Sequence, residues 1–436
     1  MNTEADGFMG VVMAAQSVKG LKALINGPGG CRSRAMNLLR ETLMEYRGED
    51  SDCCGCRYMS RVSMLPCTYL NADDIILGSG AKIADGIREV VRSSNADVVL
   101  IDTLGATVQV VDREQAVRDS GQQSRVILAH QDLSDLSFEE GFDDTIVRIL
   151  DFYCGGSSVK VPRRVNILGY TQMDRDWFHG RQQILDLLHM IGIEEVCFIG
   201  CDSCSDELRK SAGAELNILI HPELCIATAE WYLSEHGVPY LIPTCGSPVG
   251  YEAIRGFLRE VSERLGLDCT EALSLVDDEE GRVCRIIKNH DKVAWTVRGS
   301  SMHAAGYVSD ILPMTRLLYD YLNIVPRSVR ILGSNRVLND GRLESFLIEI
   351  GHPDALQDPH VGQSTRIYLS DGYDAARFAE SHREVACVDV MHPHVDRVTL
   401  SDRCLIGLSG TRNLLDEVLN GLDRFTCGQP TAADFR

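Results

Sequence analysis

The strongest constraint on what this chain can fold into is an alternation of short β-branched runs with helix-patterned segments. The runs are VVLID (98–102), RVILAH (125–130), VNILG (165–169), VCFIG (196–200), LNILI (216–220), VPYLIP (238–243), VRILG (329–333), RIYLS (366–370) and VACVDV (385–390). Between them lie amphipathic stretches. In AKIADGIREVVRSS, Ile83, Ile87, Val90 and Val91 recur at i, i+4, i+7 and i+8, which makes one apolar stripe of a helix. Strand and helix in alternation imply an α/β protein whose parallel sheets are covered on both faces. Ligands in such folds gather at the carboxyl ends of strands, where the chain turns toward the next helix.

A chain of 436 residues exceeds one ordinary core, and at roughly 150 residues per domain it implies about three. Pattern breaks near CGGSSVKVPRR (154–164) and LGLDCTEALSLVDDEEGR (265–282) place the divisions at 1–160, 161–270 and 271–436. No short-period repeat or low-complexity tract interrupts this order. A formal net charge of -20 argues against nucleic acid as a partner, because phosphate binding needs a basic face. No basic segment precedes the first apolar stretch, and no run of eighteen apolar residues occurs, so the expected location is the cytoplasm with no membrane partner. In that setting sixteen cysteines read as reduced thiols, and clusters among them point to metal or redox chemistry. Cys197 and Cys387 stand apart, inside apolar strand-like runs where a thiol behaves as a small hydrophobe.

The stretch LINGPGGCRSRAMNLLRE (24–41) reads as a strand over Leu21 to Ile25, a turn over Gly27 to Gly30, and a helix from Arg32 onward. Cys31 then lies at a helix N-terminus, where the helix end, Arg32 and Arg34 favour the thiolate that binds metal or attacks. The alternatives are an anion nest, although G-x-x-x-x-G-K-[ST] is absent, and a turn with an incidental cysteine. Downstream, SDCCGCRYMSRVSMLPCTY gathers Cys53, Cys54, Cys56 and Cys67 within fifteen residues. Thiolates suit iron-sulfur clusters and zinc, yet C-C-x-C is not a standard zinc or ferredoxin spacing, and a loop of spare thiols is the alternative. Cys201-x-x-Cys204 stands between a strand and a helix, the context of a redox dithiol, or else Ser205 simply begins the helix. GSGAKI (78–83) lacks the third glycine of a dinucleotide fingerprint. His221 ends the run LNILIH, and His392 and His394 in VMHPHVD end another, so each is a candidate to line a ligand cleft at a strand's carboxyl end.

These residues resemble a known family. NGPGGC (26–31) resembles the H-G-P-x-G-C segment of nitrogenase component 1 and its relatives, with Asn26 in place of the usual histidine. DDIILGSGAKIADGIREV, VNILGY, AELNILIHPELCIATAEWYLSEHGVPYLIP and CLIGLSGTRNLLDEVLNGL resemble further family segments in the family's order. The resemblance implies three Rossmann-like domains with parallel sheets around a central cleft. It also implies dimers, homodimeric or heterodimeric with a related component 1 subunit, that hold an iron-sulfur cluster of 4Fe-4S type and receive electrons from an ATP-dependent iron protein.

Departures from the family pattern narrow the function. Of the three cluster cysteines usual per subunit, the second is kept as Cys31, the first falls at Asp6, and the third falls near Leu104. Aspartate ligates a cluster in one subunit of the protochlorophyllide enzyme, whereas leucine cannot. Cys53, Cys54, Cys56, Cys67 or a partner subunit would then complete the coordination. His221 falls where the nitrogenase catalytic subunit has its cofactor-binding cysteine, and His392 loosely matches the family's histidine ligand, so dinitrogen is not the expected substrate. The resulting expectation is a reductase subunit acting on a substrate, a second metallocofactor or a tetrapyrrole in the cleft. A non-catalytic scaffold for cofactor assembly is its main rival, and a sensor that has lost metal is a third.

Overall fold

The structure is a computed structural model that describes residues 6–42, 65–107, 111–156, 159–289, 297–333, 341–356, 365–381, 385–390 and 401–423. Its eleven described strands form three parallel sheets. The first contains β1 (Leu21–Asn26), β2 (Asp97–Asp102) and β3 (Val126–Leu128) in the order β1-β2-β3. The second contains β4 (Arg164–Leu168), β5 (Glu195–Phe198), β6 (Leu216–Leu219) and β7 (Tyr240–Leu241) in the order β5-β4-β6-β7. The third contains β8 (Ser301–Gly306), β9 (Val325–Ile331), β10 (Thr365–Ser370) and β11 (Ala386–Asp389) in the order β11-β10-β8-β9. The alternation of strands and helices is thus realised as the sequence implied, with one strand added. β8, SMHAAG, has no β-branched residue, and only its burial and its pairing with β9 and β10 make it a strand.

Two compact units are separated by the density of their internal contacts: Met1–Gln172, Cys197–Asn217 and Leu224–Tyr240 form the first, and Met173–Val196, Ile218–Glu223 and Leu241–Arg436 the second. In the first unit, Ile83, Ile87 and Val90 of helix Gly80–Ser94 pack on Leu24, Val98 and Leu100 of β1 and β2, with Val91 partly buried beside them. Fully burying each such side chain is worth about 1.5–3 kcal/mol, so this stripe fixes the helix on the sheet. Helix Gly7–Gln16 is buried along its whole length against helix Phe138–Tyr153. The approach depends on glycine, since a Cβ on Gly10 would overlap the Phe138 carbonyl and one on Gly141 would overlap Gly7. Capping also has local causes. Ser137 and Glu140 form a reciprocal capping box at the start of Phe138–Tyr153, and Asp143 in that helix accepts from Ala227 and Thr228 at the start of helix Ile226–His236.

One reading is corrected, the extent of the turn before Cys31. The turn after β1 is only Gly27-Pro28, because the helix begins at Gly29 and Cys31 stands in its first turn. Gly27 is sterically required there, since a Cβ would collide with the Thr103 side chain, whereas one on Gly30 would meet open space. The pattern break at 265–282 is largely helix Thr270–Lys288, in which Ala272, Val276, Val283 and Ile287 are buried at helical spacing and the acidic run Asp277–Glu280 lies between them. The break at 154–164 does join helix Phe138–Tyr153 to β4. Among the described residues, no helix is long and apolar enough to cross a membrane.

Candidate functional site

Chemistry-bearing side chains collect at the carboxyl ends of strands in each unit. In the first unit, the ends of β1 and β2 are tied by Asn26, whose Nδ2 donates to Asp102 Oδ1 at 2.7 Å and whose Oδ1 accepts from Thr68 Oγ1 at 3.0 Å. Arg113 closes the arrangement at 3.1 Å from Asp102. These bonds draw segment 65–70 against the turn, where Gly27 N donates to Thr68 Oγ1 and Leu70 N donates to the Gly27 carbonyl. Cys67 is thereby placed beside the helix that carries Cys31. Its thiol donates to the Gly27 carbonyl at 3.2 Å and accepts from Tyr69 N at 3.4 Å. Arg32 Nε binds the Leu65 carbonyl at 2.7 Å. Burial raises the Cys67 pKa above that of an ordinary thiol, opposed by the Tyr69 amide and the Arg32 charge and reinforced by Cys31.

Asp6 joins the same place from a third segment. It caps helix Gly7–Gln16 through Oδ1, which accepts from Met9 N at 3.1 Å, and its Oδ2 lies 2.7 Å from Arg34 Nη1. Arg34 and Cys31 are three residues apart in one helix and share a face, so the ion pair sets Asp6 on the Cys31 side. Of the residues expected to bind metal, Cys31 thus stands in the first turn of helix Gly29–Thr42, Cys67 lies against the turn before it, and Asp6 is paired with Arg34 of that helix. One carboxylate and two half-buried free thiols are a donor set that fits an iron-sulfur cluster. Leu104, at the start of helix Leu104–Thr107, is half exposed and offers no ligand. Cys53, Cys54 and Cys56 lie outside the described residues. Cys201 is buried, and Cys204 is exposed just before helix Ser205–Ser211. Cys197 is core, as its apolar run implied, and Cys387 is only partly buried.

The second unit holds a buried charged network around His221. This residue follows β6 and is 2% exposed. Its Nε2 lies 2.8 Å from Asp174 Oδ1, in the segment after β4. Its Nδ1 faces Ser309 Oγ at 3.2 Å and Asp310 Oδ2 at 3.4 Å, both in the first turn of helix Val308–Leu322 after β8. Ser309 donates through N and Oγ to Glu223, at 3.1 and 2.9 Å, and Ser247 Oγ donates to Asp310 Oδ1 at 2.7 Å. With the Ser309 proton given to Glu223, its oxygen accepts from Nδ1, so the imidazole donates at both nitrogens. Burial acts to lower the His221 pKa but is outweighed by Asp310, Asp174 and Glu223, which together push it up to about 9. Burial raises Glu223 as well, against the opposing His221 charge. The imidazole is thus a cation at neutral pH with both ring protons engaged.

Sequence reading found His221 from its place after a strand but not its partners. Asp174, Glu223, Ser309 and Asp310 come from three separate segments, and no short motif links them. Asp310 in particular is positioned by β8, the strand without a β-branched signature. His392 and His394 lie outside the described residues.

Three parallel sheets with thiol, carboxylate and imidazole groups at strand ends define an α/β protein of the class that carries its chemistry where strands turn into helices. The chain belongs to the family described as Nitrogenase component 1 type Oxidoreductase, whose model matches residues 7–423. It is 22% identical to a light-independent protochlorophyllide reductase subunit of Heliobacterium modesticaldum, over 70% of this chain and 56% of that protein. It is 21% identical to the corresponding light-independent protochlorophyllide reductase subunit of Chaetosphaeridium globosum, over 96% of this chain and 82% of that one. Among solved structures, that of Nitrogenase Cp1 at pH 6.5 superposes with a TM-score of 0.77 at 14% identity, covering 100% of this chain and 96% of that one. That likeness shows the shared fold.

Proposed function

We propose that this chain is a reductase subunit of the nitrogenase-like group that acts on a substrate or metallocofactor other than dinitrogen. The observation that carries the reading is the placement of Cys31 in the first turn of helix Gly29–Thr42, of Cys67 against the turn before it, and of Asp6 in an ion pair with Arg34 of the same helix. These three residues would hold an iron-sulfur cluster of 4Fe-4S type, with Cys53, Cys54, Cys56 or a second component 1-type chain, in a homodimer or heterodimer, completing the ligand set. Bound there, the cluster supplies one-electron transfer, with an ATP-dependent iron protein as the donor. The chain's own residues do the rest. Arg34 holds the Asp6 carboxylate in place, and Arg32 brings positive charge to the Cys67 thiol. His221 holds a proton, fixed by Asp174 and Ser309, against the charge that arrives when a ligand is reduced. His392 and His394 are proposed as further contacts to a ligand, whether a second metallocofactor or a tetrapyrrole. The proposed domain limits remain 1–160, 161–270 and 271–436, and the proposed location is the cytoplasm.

Anaerobic purification, iron and sulfide analysis and EPR spectroscopy test this function. Acid-labile sulfide and a reducible EPR signal are expected, and a colourless protein after cluster reconstitution overturns the reading. One observation favours a scaffold for cofactor assembly instead: both Asp6 oxygens are already engaged, by Met9 and Arg34, so a ligand bound there would be held with competition. A scaffold transfers its metal to an acceptor protein and shows no ATP-dependent reduction when mixed with the iron protein, whereas a reductase turns over.

A further inference from the structure

Away from the two sites above, Asp176, His179 and Asp402 bring one ligand atom each to within 4.8 Å of one another. We propose that these three residues form a binding site for a divalent transition-metal ion of the zinc class, joining the start of helix Trp177–His189 to the segment before helix Gly407–Asp423. The site is independent of the cluster and the reaction proposed above.

The donor set decides the class of ion. An imidazole with two carboxylates suits zinc or a neighbouring first-row ion, whereas calcium and magnesium prefer all-oxygen surroundings. The Asp176 side chain is fully buried, and His179 is 42% exposed, which leaves a path for entry. His179 Nδ1 faces both Asp176 oxygens at 2.9 Å, so a zinc ion would take the place of the Nδ1 proton between ring and carboxylate, and that proton would be released to solvent. Ligands about 2.0–2.2 Å from zinc in a tetrahedron stand roughly 3.3–3.6 Å apart, so the observed spacing needs only small side-chain movements to accept an ion.

The surroundings hold the ligands where they are. Asp176 Oδ2 accepts from Arg403 N at 2.8 Å, which fixes it beside Asp402. Gln183 Oε1 accepts from Ser409 N at 2.9 Å, and Arg175 pairs with Glu417, so the two helices are tied on either side of the ligands. Cys404 is buried, and its thiol donates to Asp402 Oδ1 at 3.2 Å. That hydrogen bond orients the Asp402 carboxylate from outside the site, as partners of metal ligands do.

The experiment is a calorimetric titration of the metal-depleted full-length chain with zinc ion. It uses a background in which Cys31, Cys53, Cys54, Cys56 and Cys67 are serine, so that a failure of the cluster proposal leaves the result unaffected. One equivalent of zinc should bind, and His179→Gln and Asp402→Asn should each weaken binding by roughly 100-fold or more, at least the loss that disturbing an outer-shell partner can cause. His179 is partly exposed, and circular dichroism of each variant checks that it folds as the parent does. Absence of zinc binding, or equal affinity in the parent and in both folded variants, overturns the proposal.

Discussion

At the scale of the residue, His221 makes the clearest prediction. Asp174, Asp310, Glu223 and Ser309 face it, and its pKa in the fold, about 9, exceeds the ordinary 6.5. A raised cationic pKa gives stability that is fully present below pH 6.5 and is lost as the pH rises through 9. The difference amounts to roughly 3 kcal/mol. Glu223, raised by burial, has the same sign, since its extra bound proton is lost as the pH rises above the ordinary carboxyl range. Urea midpoints between pH 6 and 9 should therefore fall in the parent and fall much less in His221→Gln; equal slopes would remove the charged network from the account. Asp143 is a second case. Burial lifts its pKa to about 6 despite hydrogen bonds from Thr228 and Ala227, so its charge costs stability as the pH rises from 3.8 to 6. Asp143→Ala leaves the amides of Ala227 and Thr228 without that carboxylate and should cost about 2–3 kcal/mol, read from denaturant unfolding at pH 7.

At the scale of the element, the pairing of helix Gly7–Gln16 with helix Phe138–Tyr153 is the most exacting contact. Gly7, Gly10 and Gly141 let the two backbones approach, and Phe8, Phe142 and Ile146 are buried in the same helices. Gly10→Ala pushes a methyl group into the Phe138 carbonyl and should destabilise by about 1–3 kcal/mol, as overpacking does elsewhere. Thermal unfolding measures it, and Gly30→Ala, where a Cβ meets open space, is the control expected to change little. Because Asp6 caps helix Gly7–Gln16, a shift of that helix would also move a proposed cluster ligand, so the Gly10→Ala protein should retain less iron than the Gly30→Ala control.

At the scale of the whole molecule, function is predicted to depend on donors from segments far apart in sequence. Cys31→Ala should lower the iron content of the anaerobically purified protein, and Asp6→Ala should lower it as well. Unchanged iron in both would return Cys31 to the role of a small residue in a helix's first turn. The net charge of -20 bears on association too. If the proposed iron protein docks through charge, its binding should weaken as salt is raised from about 50 to about 300 mM, which analytical ultracentrifugation of the mixture measures.

The sequence by itself determined the α/β class and nearly every strand, because a strand covered on both faces must be apolar throughout and β-branched runs such as VVLID and VNILG say so locally. It also placed Cys31 at a helix start, since Gly27 and Pro28 punctuate the chain there. Only the tertiary structure decided what these features meet. β8 is a strand because its neighbours bury it, which small residues such as Ala304 and Ala305 do not announce. Helix Thr270–Lys288 forms although its acidic run resembles a linker, because burial of Val276 and Val283 outweighs local composition. Asn26 draws the Cys67 segment to the turn before Cys31, Arg34 holds Asp6, and Asp174, Glu223 and Asp310 surround His221. These are contacts between distant segments, set by the packing of whole elements, and no periodicity within a single stretch of chain encodes them.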